Sequence, residues 1–321
     1  MHNYNLIQIF LHDFVLNNKF INKSLYEIEK IFYLKKIDIK DENHVFITGM
    51  PRSGTTGLLN FLFSSNQYAS LRYKNMPFIL SPNFSTFFNT KDIASTERSH
   101  QDGIFYNMES PEAFDEIFFD NNNKFIKDEL LNYVQLILLS ENKNKYLSKN
   151  NSNIKRIDLI KNLLPNSKFL IPIREPLQQS YSLLNQHINF NYLQKKNNFI
   201  KRYMKYLGHH EFGIIHKPWN SPMNHFNKNK IDYWLEQWLL FYEKIYDKFQ
   251  NNHNCYFLIY EKLENMDYIL SLFEKISLKK NLISKLDYFK NSNKKNINIF
   301  YNEHLYNKTV SIYEKFLNST S

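Results

Sequence analysis

The sequence predicts an α/β fold with a central parallel sheet flanked by helices on both faces, and three observations carry that expectation. Three short apolar runs, residues 44–48 (HVFIT), 168–173 (KFLIPI) and 255–260 (CYFLIY), read as buried strands. Helical stretches separate them, and alternation of this kind argues for a parallel sheet covered on both sides. Of only six glycines, Gly49, Gly54 and Gly57 crowd into nine residues directly after the first run. That crowding marks a specialised backbone between a strand and a helix.

Taken in order, residues 1–40 place Leu25, Ile28 and Phe32 at helical spacing and predict one or two helices. The strand at 44–48 leads through the glycine loop into a helix over 58–63. Residues 73–100, rich in Pro, Ser, Asn and Thr, read as loop with short helices. Helices are expected over 112–119 and 128–140, a short strand over 146–149, and a helix over 154–164 ended by Pro165. In the strand at 168–173, Pro172 is an objection, since proline removes a ladder donor. Arg174 ends that strand, and Pro176 stands where a helix begins. Residues 190–230 show no clear period. The stretch 233–249 is helical, with Trp234, Trp238, Phe241 and Ile245 forming a core-facing stripe. A strand at 255–260 and a helix near 268–276 follow, and the Asn/Lys-rich stretch 287–298 reads as a surface loop. One domain is expected: N-terminal helices over 1–40, a core over 44–275 and a C-terminal extension over 276–321.

Composition narrows the class. A chain of 321 residues suits one α/β domain with insertions, and 28 Phe with 22 Tyr predict a core rich in rings. The single cysteine, Cys255, excludes an internal disulfide framework and suits a reducing compartment. No basic segment leads into an unbroken apolar stretch near the N-terminus, so no signal peptide is read. The most apolar run, 130–139, is too short to span a bilayer. A cytoplasmic protein without a transmembrane segment is expected. The net charge of +10 fits either a lysine- and asparagine-rich composition or attraction for a polyanionic ligand. No nucleic-acid-binding motif accompanies it, and no nucleic-acid partner is expected.

The loop Gly49-Met50-Pro51-Arg52-Ser53-Gly54-Thr55-Thr56 has the frame of a phosphate-binding loop, with glycines five apart between strand and helix. The fold expected is therefore a P-loop-type sheet. Where nucleotide triphosphatases carry lysine, Thr55 stands here, and the positive charge has moved to Arg52. Glycine lets the backbone approach an anion closely, with amide groups and a helix N-terminus aimed at it. Ser53, Thr55 and Thr56 add hydroxyls, and Arg52 adds a charged fork.

A magnesium-dependent relative would close a later strand with Asp. The run 168–173 instead meets Arg174, an arginine at a strand's carboxyl end, where ligands bind in such sheets. Ser182, eight residues on, lies about two turns into the next helix, on the side where a hydroxyl reaches the same anion. Ser180 is expected to point elsewhere. The alternative is that Arg174 merely pairs with Glu175 or a surface carboxylate.

These segments resemble the PAPS-dependent sulfotransferases, closest to the divergent bacterial and tyrosylprotein-type branch. PRSGTT (51–56) is similar to their 5′-phosphosulfate loop, and Arg174 with Ser182 to their 3′-phosphate pair. YLSKNN (146–151) is similar to the segment that supplies a Lys or His near the transferred group, and LIYEKL (258–263) to the strand whose tyrosine lies near the nucleotide. The resemblance covers about 44–275. It implies that Arg52, Ser53, Gly54, Thr55 and Thr56 hold the 5′-phosphosulfate of PAPS, that Arg174 and Ser182 hold its 3′-phosphate, and that Tyr260 lies close to the nucleotide, with PAP as the product. Departures stand beside it. Lys149-Asn150-Asn151 replaces the family's KTH, the late Arg-Lys-Gly contact is missing, and Leu71-Arg72-Tyr73-Lys74 lacks the Glu that serves as base in the tyrosylprotein enzymes.

Sulfuryl transfer needs positioning and charge stabilisation, for which Arg52 and Lys149 are the expected cations, and no metal is required. The acceptor is expected to be a hydroxyl, on a glycan or small molecule. Its base is sought among His100, Glu109 and Glu112, with His100 preferred and Glu112 next. Glu112 alternatively caps a helix after Ser110-Pro111. The stretch 208–213 (GHHEFG), with His216 nearby, suggests a metal site, but adjacent histidines diverge, and an acceptor-binding loop or packed polar cluster is the favoured reading. Two rivals remain: a P-loop kinase or NTPase, and a PAP- or nucleic-acid-binding module without catalysis.

Overall fold

The structure, a computed structural model, describes residues 6–35, 39, 42–88, 95–97, 105–121, 126–279 and 296–319. Seven strands occur among them: β1 (Val45–Ile47), β2 (Tyr68–Ala69), β3 (Thr96–Glu97), β4 (Phe105–Tyr106), β5 (Lys145–Lys149), β6 (Lys168–Ile173) and β7 (Cys255–Ile259). Twelve helices accompany them: α1 (Leu6–Leu16), α2 (Lys19–Tyr33), α3 (Thr55–Ser64), α4 (Pro82–Ser85), α5 (Glu116–Asn121), α6 (Ile126–Glu141), α7 (Ile157–Leu163), α8 (Pro176–Lys196), α9 (Asn198–Tyr206), α10 (Ile231–Phe249), α11 (Met266–Lys275) and α12 (Glu303–Ser319). Five strands form one sheet in the order β2-β5-β1-β6-β7, every pair parallel. The pair β3 and β4 is antiparallel and separate.

Alternation along the strands sorts the apolar side chains into two layers. Phe46 of β1 and Phe169, Ile171 and Ile173 of β6 face a large aromatic core shared with α6, α8, α10 and α12. Val45 and Ile47, with Leu147 and Leu170, face a smaller core closed by Leu58, Leu59 and Phe61 of α3 and by Leu272 and Phe273 of α11. A sheet buried on both faces reads as continuous apolar runs, and the three strongest strands have that character.

Pro172 costs no ladder bond. The Leu170 carbonyl accepts from Thr48 N, whereas Phe169 N donates to Asn254, so alternate residues of β6 face opposite neighbours. Pro172 therefore faces the β1 side, and β1's pairing has already ended at Ile47, opposite Leu170. Its carbonyl accepts from the Tyr242 hydroxyl at 3.2 Å instead.

Several expectations need correction. The helix expected over 112–119 starts only at Glu116, because Pro111 bridges to Arg72 and Glu112 N donates to the Leu71 carbonyl. The stretch 190–230 is not featureless: α8 runs to Lys196 and α9 follows after the cap at Asn197, whose side chain accepts from Phe199 N. The helix α12 packs Leu305, Ile312 and Phe316 into the large core. Most of the loop expected over 287–298 lies outside the described residues.

Candidate active site

The crevice lies at the carboxyl ends of β1, β5, β6 and β7, where all four chains leave a parallel sheet in the same direction. After β1 the chain enters the glycine loop. Gly49, Arg52 and Gly54 all have positive φ, at 135°, 67° and 95°. For Arg52 this is strained backbone, and the surroundings hold it. Its carbonyl accepts from Arg174 Nη1 at 3.4 Å, and its own Nε donates to Ser182 Oγ at 3.0 Å. Gly54 is the N-cap of α3, so Thr55 and Thr56 open a helix whose first amide groups face the crevice end of the sheet.

Tyr260 follows β7 directly. The Arg174 guanidinium lies 4.7 Å from the centre of its ring, and a Cβ added to Gly54 would meet that ring at 2.4 Å. Gly54 is thus required twice over, by its φ and by the ring against it. Arg52, Gly54, Arg174, Ser182 and Tyr260, scattered from residue 52 to residue 260, therefore come together.

One loop hydroxyl turns inward. The Ser53 hydroxyl is buried and donates to the Met50 carbonyl at 2.8 Å, so it braces the loop rather than facing outward. Thr55 is buried and Thr56 half-buried. On α8, Ser180 is fully buried, whereas Ser182 meets Arg52. Arg174 is not absorbed by Glu175: that carboxylate caps α8, accepting from Leu177 N and Gln178 N, and also accepts from Tyr306 of α12.

Three supports escaped the sequence reading. Gln179, wholly buried on α8, donates to the Pro51 carbonyl at 2.9 Å while accepting from Trp238 Nε1 at 2.9 Å. Glu261 accepts from Glu175 N at 3.0 Å and from the Tyr313 hydroxyl at 2.8 Å. Nothing local in the sequence marks any of these, since each partner lies at least 50 residues away.

Beside the loop, Asn150 N donates to the Ile47 carbonyl and Thr48 Oγ1 to the Asn151 carbonyl at 3.1 Å. These bonds set Lys149, 8% exposed, at the shoulder of the glycine loop. The Glu112 carboxylate accepts from Ala113 N at 2.8 Å and from the Tyr73 hydroxyl at 2.7 Å. It caps no helix. His100 lies outside the described residues. Glu109 pairs with Arg72 and Lys74 on the exposed side and does not join the others.

The histidine-rich stretch divides. His216 is packed among His187, Trp219 and Trp234 and is hydrogen-bonded at both ring nitrogens, to the Glu211 carbonyl at 2.6 Å and to the Tyr233 hydroxyl at 2.7 Å. Burial pushes its pKa down to about 4. His209 instead lies 3.4 Å from the Glu211 carboxylate and within the field of Lys149 and Glu112. Among the described residues no three His, Cys, Asp or Glu side chains converge as a metal site.

The molecule is thus an α/β protein in which a glycine-bearing loop at a helix N-terminus, faced by an arginine from the neighbouring strand, forms a cationic, amide-lined crevice at the strand ends. A model of the sulfotransferase family matches residues 44–267, and the chain belongs to that family. Among solved structures it is similar to sulfotransferase STF9 from Mycobacterium avium, at 12% identity over 95% of this chain and 83% of that one, with a TM-score of 0.53. It is also similar to sulfotransferase STF1 from Mycobacterium tuberculosis, at 12% identity over 98% and 87%, with a TM-score of 0.50. At such identity the likeness is one of fold. No curated protein matches the chain. Among the described residues no helix is long and apolar enough to cross a membrane.

Proposed function

We propose that this sulfotransferase takes the sulfuryl group from PAPS and delivers it to a hydroxyl on a glycan or small molecule. The observation that carries the reading is the meeting of Arg52 with both Arg174 and Ser182. Two segments that the sequence separates by more than a hundred residues become one cationic, hydroxyl-bearing surface.

The residues present fit such a donor. Gly54 lets the Tyr260 ring pack against the loop itself, and that ring, with the Arg174 guanidinium 4.7 Å from its centre, is an aromatic surface beside the cations that a nucleotide base could use. Arg52, the Gly54–Thr56 backbone and the Thr56 hydroxyl would hold the phosphosulfate, with Ser53 bracing the loop beneath. Arg174 and Ser182 would hold the 3′-phosphate. PAPS supplies a sulfuryl group already activated by its phosphate leaving group. Lys149 and Arg52 stabilise charge on the peripheral and leaving oxygens, which is where this chemistry is won.

Titration calorimetry with PAP tests the nucleotide reading: wild type binds, and Arg52→Ala and Arg174→Ala bind more weakly. Transfer from radiolabelled PAPS to a panel of glycans and small alcohols tests the reaction. A chain that ignored PAP while turning over ATP with magnesium would overturn the proposal.

A further inference from the structure

The geometry points to His209 as the general base of the transfer, with Glu211 as the residue that positions it. The inference rests on the donor reading above and adds the group that takes the acceptor's proton.

A continuous line of contacts leads from the glycine loop to this histidine. Asn150 is tied to the end of β1 by its backbone, and its side chain donates to Glu116 Oε2 at 2.8 Å. Arg156 clamps the same carboxylate from two nitrogens, at 2.7 and 2.8 Å, so Glu116 is a fixed post. Gly208 packs directly on that post, with φ +71°, and a Cβ there would stand 2.6 Å from Glu116 Cγ. His209 is the next residue. It is therefore delivered to the Lys149 end of the crevice by a turn that only glycine fits.

The ring is set up for proton transfer. Nδ1 lies 3.4 Å from Glu211 Oε1, and the two side chains are 25% and 15% exposed, enough for a substrate to reach and too little for bulk water to screen them. With Nδ1–H turned toward the carboxylate, Nε2 is the basic nitrogen, and no hydrogen-bond partner for it lies among the described residues. Glu112, by contrast, already accepts two hydrogen bonds. The groups facing His209 are Glu211, Lys149, Glu112 and His210. Burial disfavours the imidazolium, but the Glu211 carboxylate outweighs it, and the pKa is raised from 6.5. The sequence held a signal for this: two of six glycines, Gly208 and Gly213, bracket the motif.

The step balances simply. The acceptor oxygen forms a bond to sulfur as its proton passes to His209 Nε2. The bond from sulfur to the bridging oxygen breaks, and that oxygen leaves with the electron pair as the phosphate of PAP, beside Lys149 and Arg52. Glu211 stays ionised and stabilises the imidazolium.

The test uses the full chain and three variants, His209→Gln, Glu211→Gln and, as neighbour control, His210→Gln. PAP binding by calorimetry reports folding and the nucleotide site. Radiolabelled PAPS is the donor, with N-acetylglucosamine, glucose, 2-naphthol and water as acceptors. His209→Gln is expected to keep PAP affinity and lose about 10²- to 10⁴-fold in transfer, while His210→Gln keeps both. In wild type kcat/KM rises with pH through a midpoint above 6.5, as His209 loses its proton, and in Glu211→Gln that midpoint falls. Proton NMR of the apo protein reads the same titration without any donor: the His209 resonance should titrate above 6.5 and move down in Glu211→Gln. If His209→Gln transfers as well as wild type, or if the His209 titration ignores Glu211, the inference is overturned while the donor reading stands. A wild-type chain that binds no PAP overturns the donor reading, and the inference with it.

Discussion

Arg52 Nε donates to Ser182 Oγ across 3.0 Å, so the loop after β1 and the second turn of α8 share a contact before any ligand arrives. With the Arg174 bond to the Arg52 carbonyl, this fixes a backbone of φ 67° that arginine adopts only under constraint. Preorganised donors lose little freedom on binding. Arg52→Ala and Arg174→Ala should each weaken PAP binding by about 10- to 100-fold, the range for a charged hydrogen bond. Ser180→Ala, whose hydroxyl faces the interior, should leave PAP affinity unchanged. Calorimetry on the three variants checks this.

Gly54→Ala should be costly in two measurements at once. Its φ of 95° strains any Cβ, and the new atom would strike the Tyr260 ring at 2.4 Å. A loss of about 1–3 kcal/mol in stability is expected, read by urea unfolding. Because relief must come by displacing Tyr260, PAP affinity should fall too, whereas Gly57→Ala should leave it in place.

The His209–Glu211 pair should leave a mark on stability against pH. Burial would raise the Glu211 carboxyl, but His209 and Lys149 outweigh it and pull the pKa down to about 2. Its stabilisation is complete above the unfolded value of 4.5 and is lost as pH falls toward 2. His209, raised from 6.5, contributes fully below 6.5 and loses its contribution as pH rises through its higher folded value. The stability gap between wild type and Glu211→Gln should therefore be widest between about pH 4.5 and 6.5 and narrow on either side. Denaturant midpoints across that range measure it, and a flat gap would refute it.

Asp115 is wholly enclosed and accepts from Tyr133 at 2.7 Å, Tyr146 at 2.5 Å and Ser148 at 2.6 Å. Asp115→Ala strands three buried hydroxyls under β5. At roughly 1–3 kcal/mol for each unsatisfied group, a loss of about 3 kcal/mol or more is expected in chemical unfolding.

Cys255 should be inert in the folded protein. Burial pushes its thiol up to about 12, which leaves almost no thiolate at neutral pH. Maleimide labelling should be slow in buffer and fast in denaturant.

The sheet was legible because strands buried on both faces announce themselves as unbroken apolar runs, as at 168–173 and 255–260. The loop was legible because its glycines and hydroxyls are contiguous. Ser182 was reachable by counting turns from Pro176. Gln179, Glu261 and Tyr313 were not, since their partners lie far away in sequence and their residue types are common in any helix. The start of α5 was misjudged because tertiary pairing of Glu112 N with Leu71 outcompeted local helix preference. His209 was visible as a residue, yet its direction depends on Gly208 packing against Glu116, a contact no spacing rule reveals.

The tie from Tyr306 to Glu175 spans 131 residues, and Tyr313 reaches Glu261 beside it. A nascent chain on the ribosome will already have released Arg52, Arg174, Ser182 and Tyr260 before these tyrosines emerge. The rim of the crevice is then set only once α12 has emerged and docked, so the segments that converge at the strand ends wait in parts until that helix arrives.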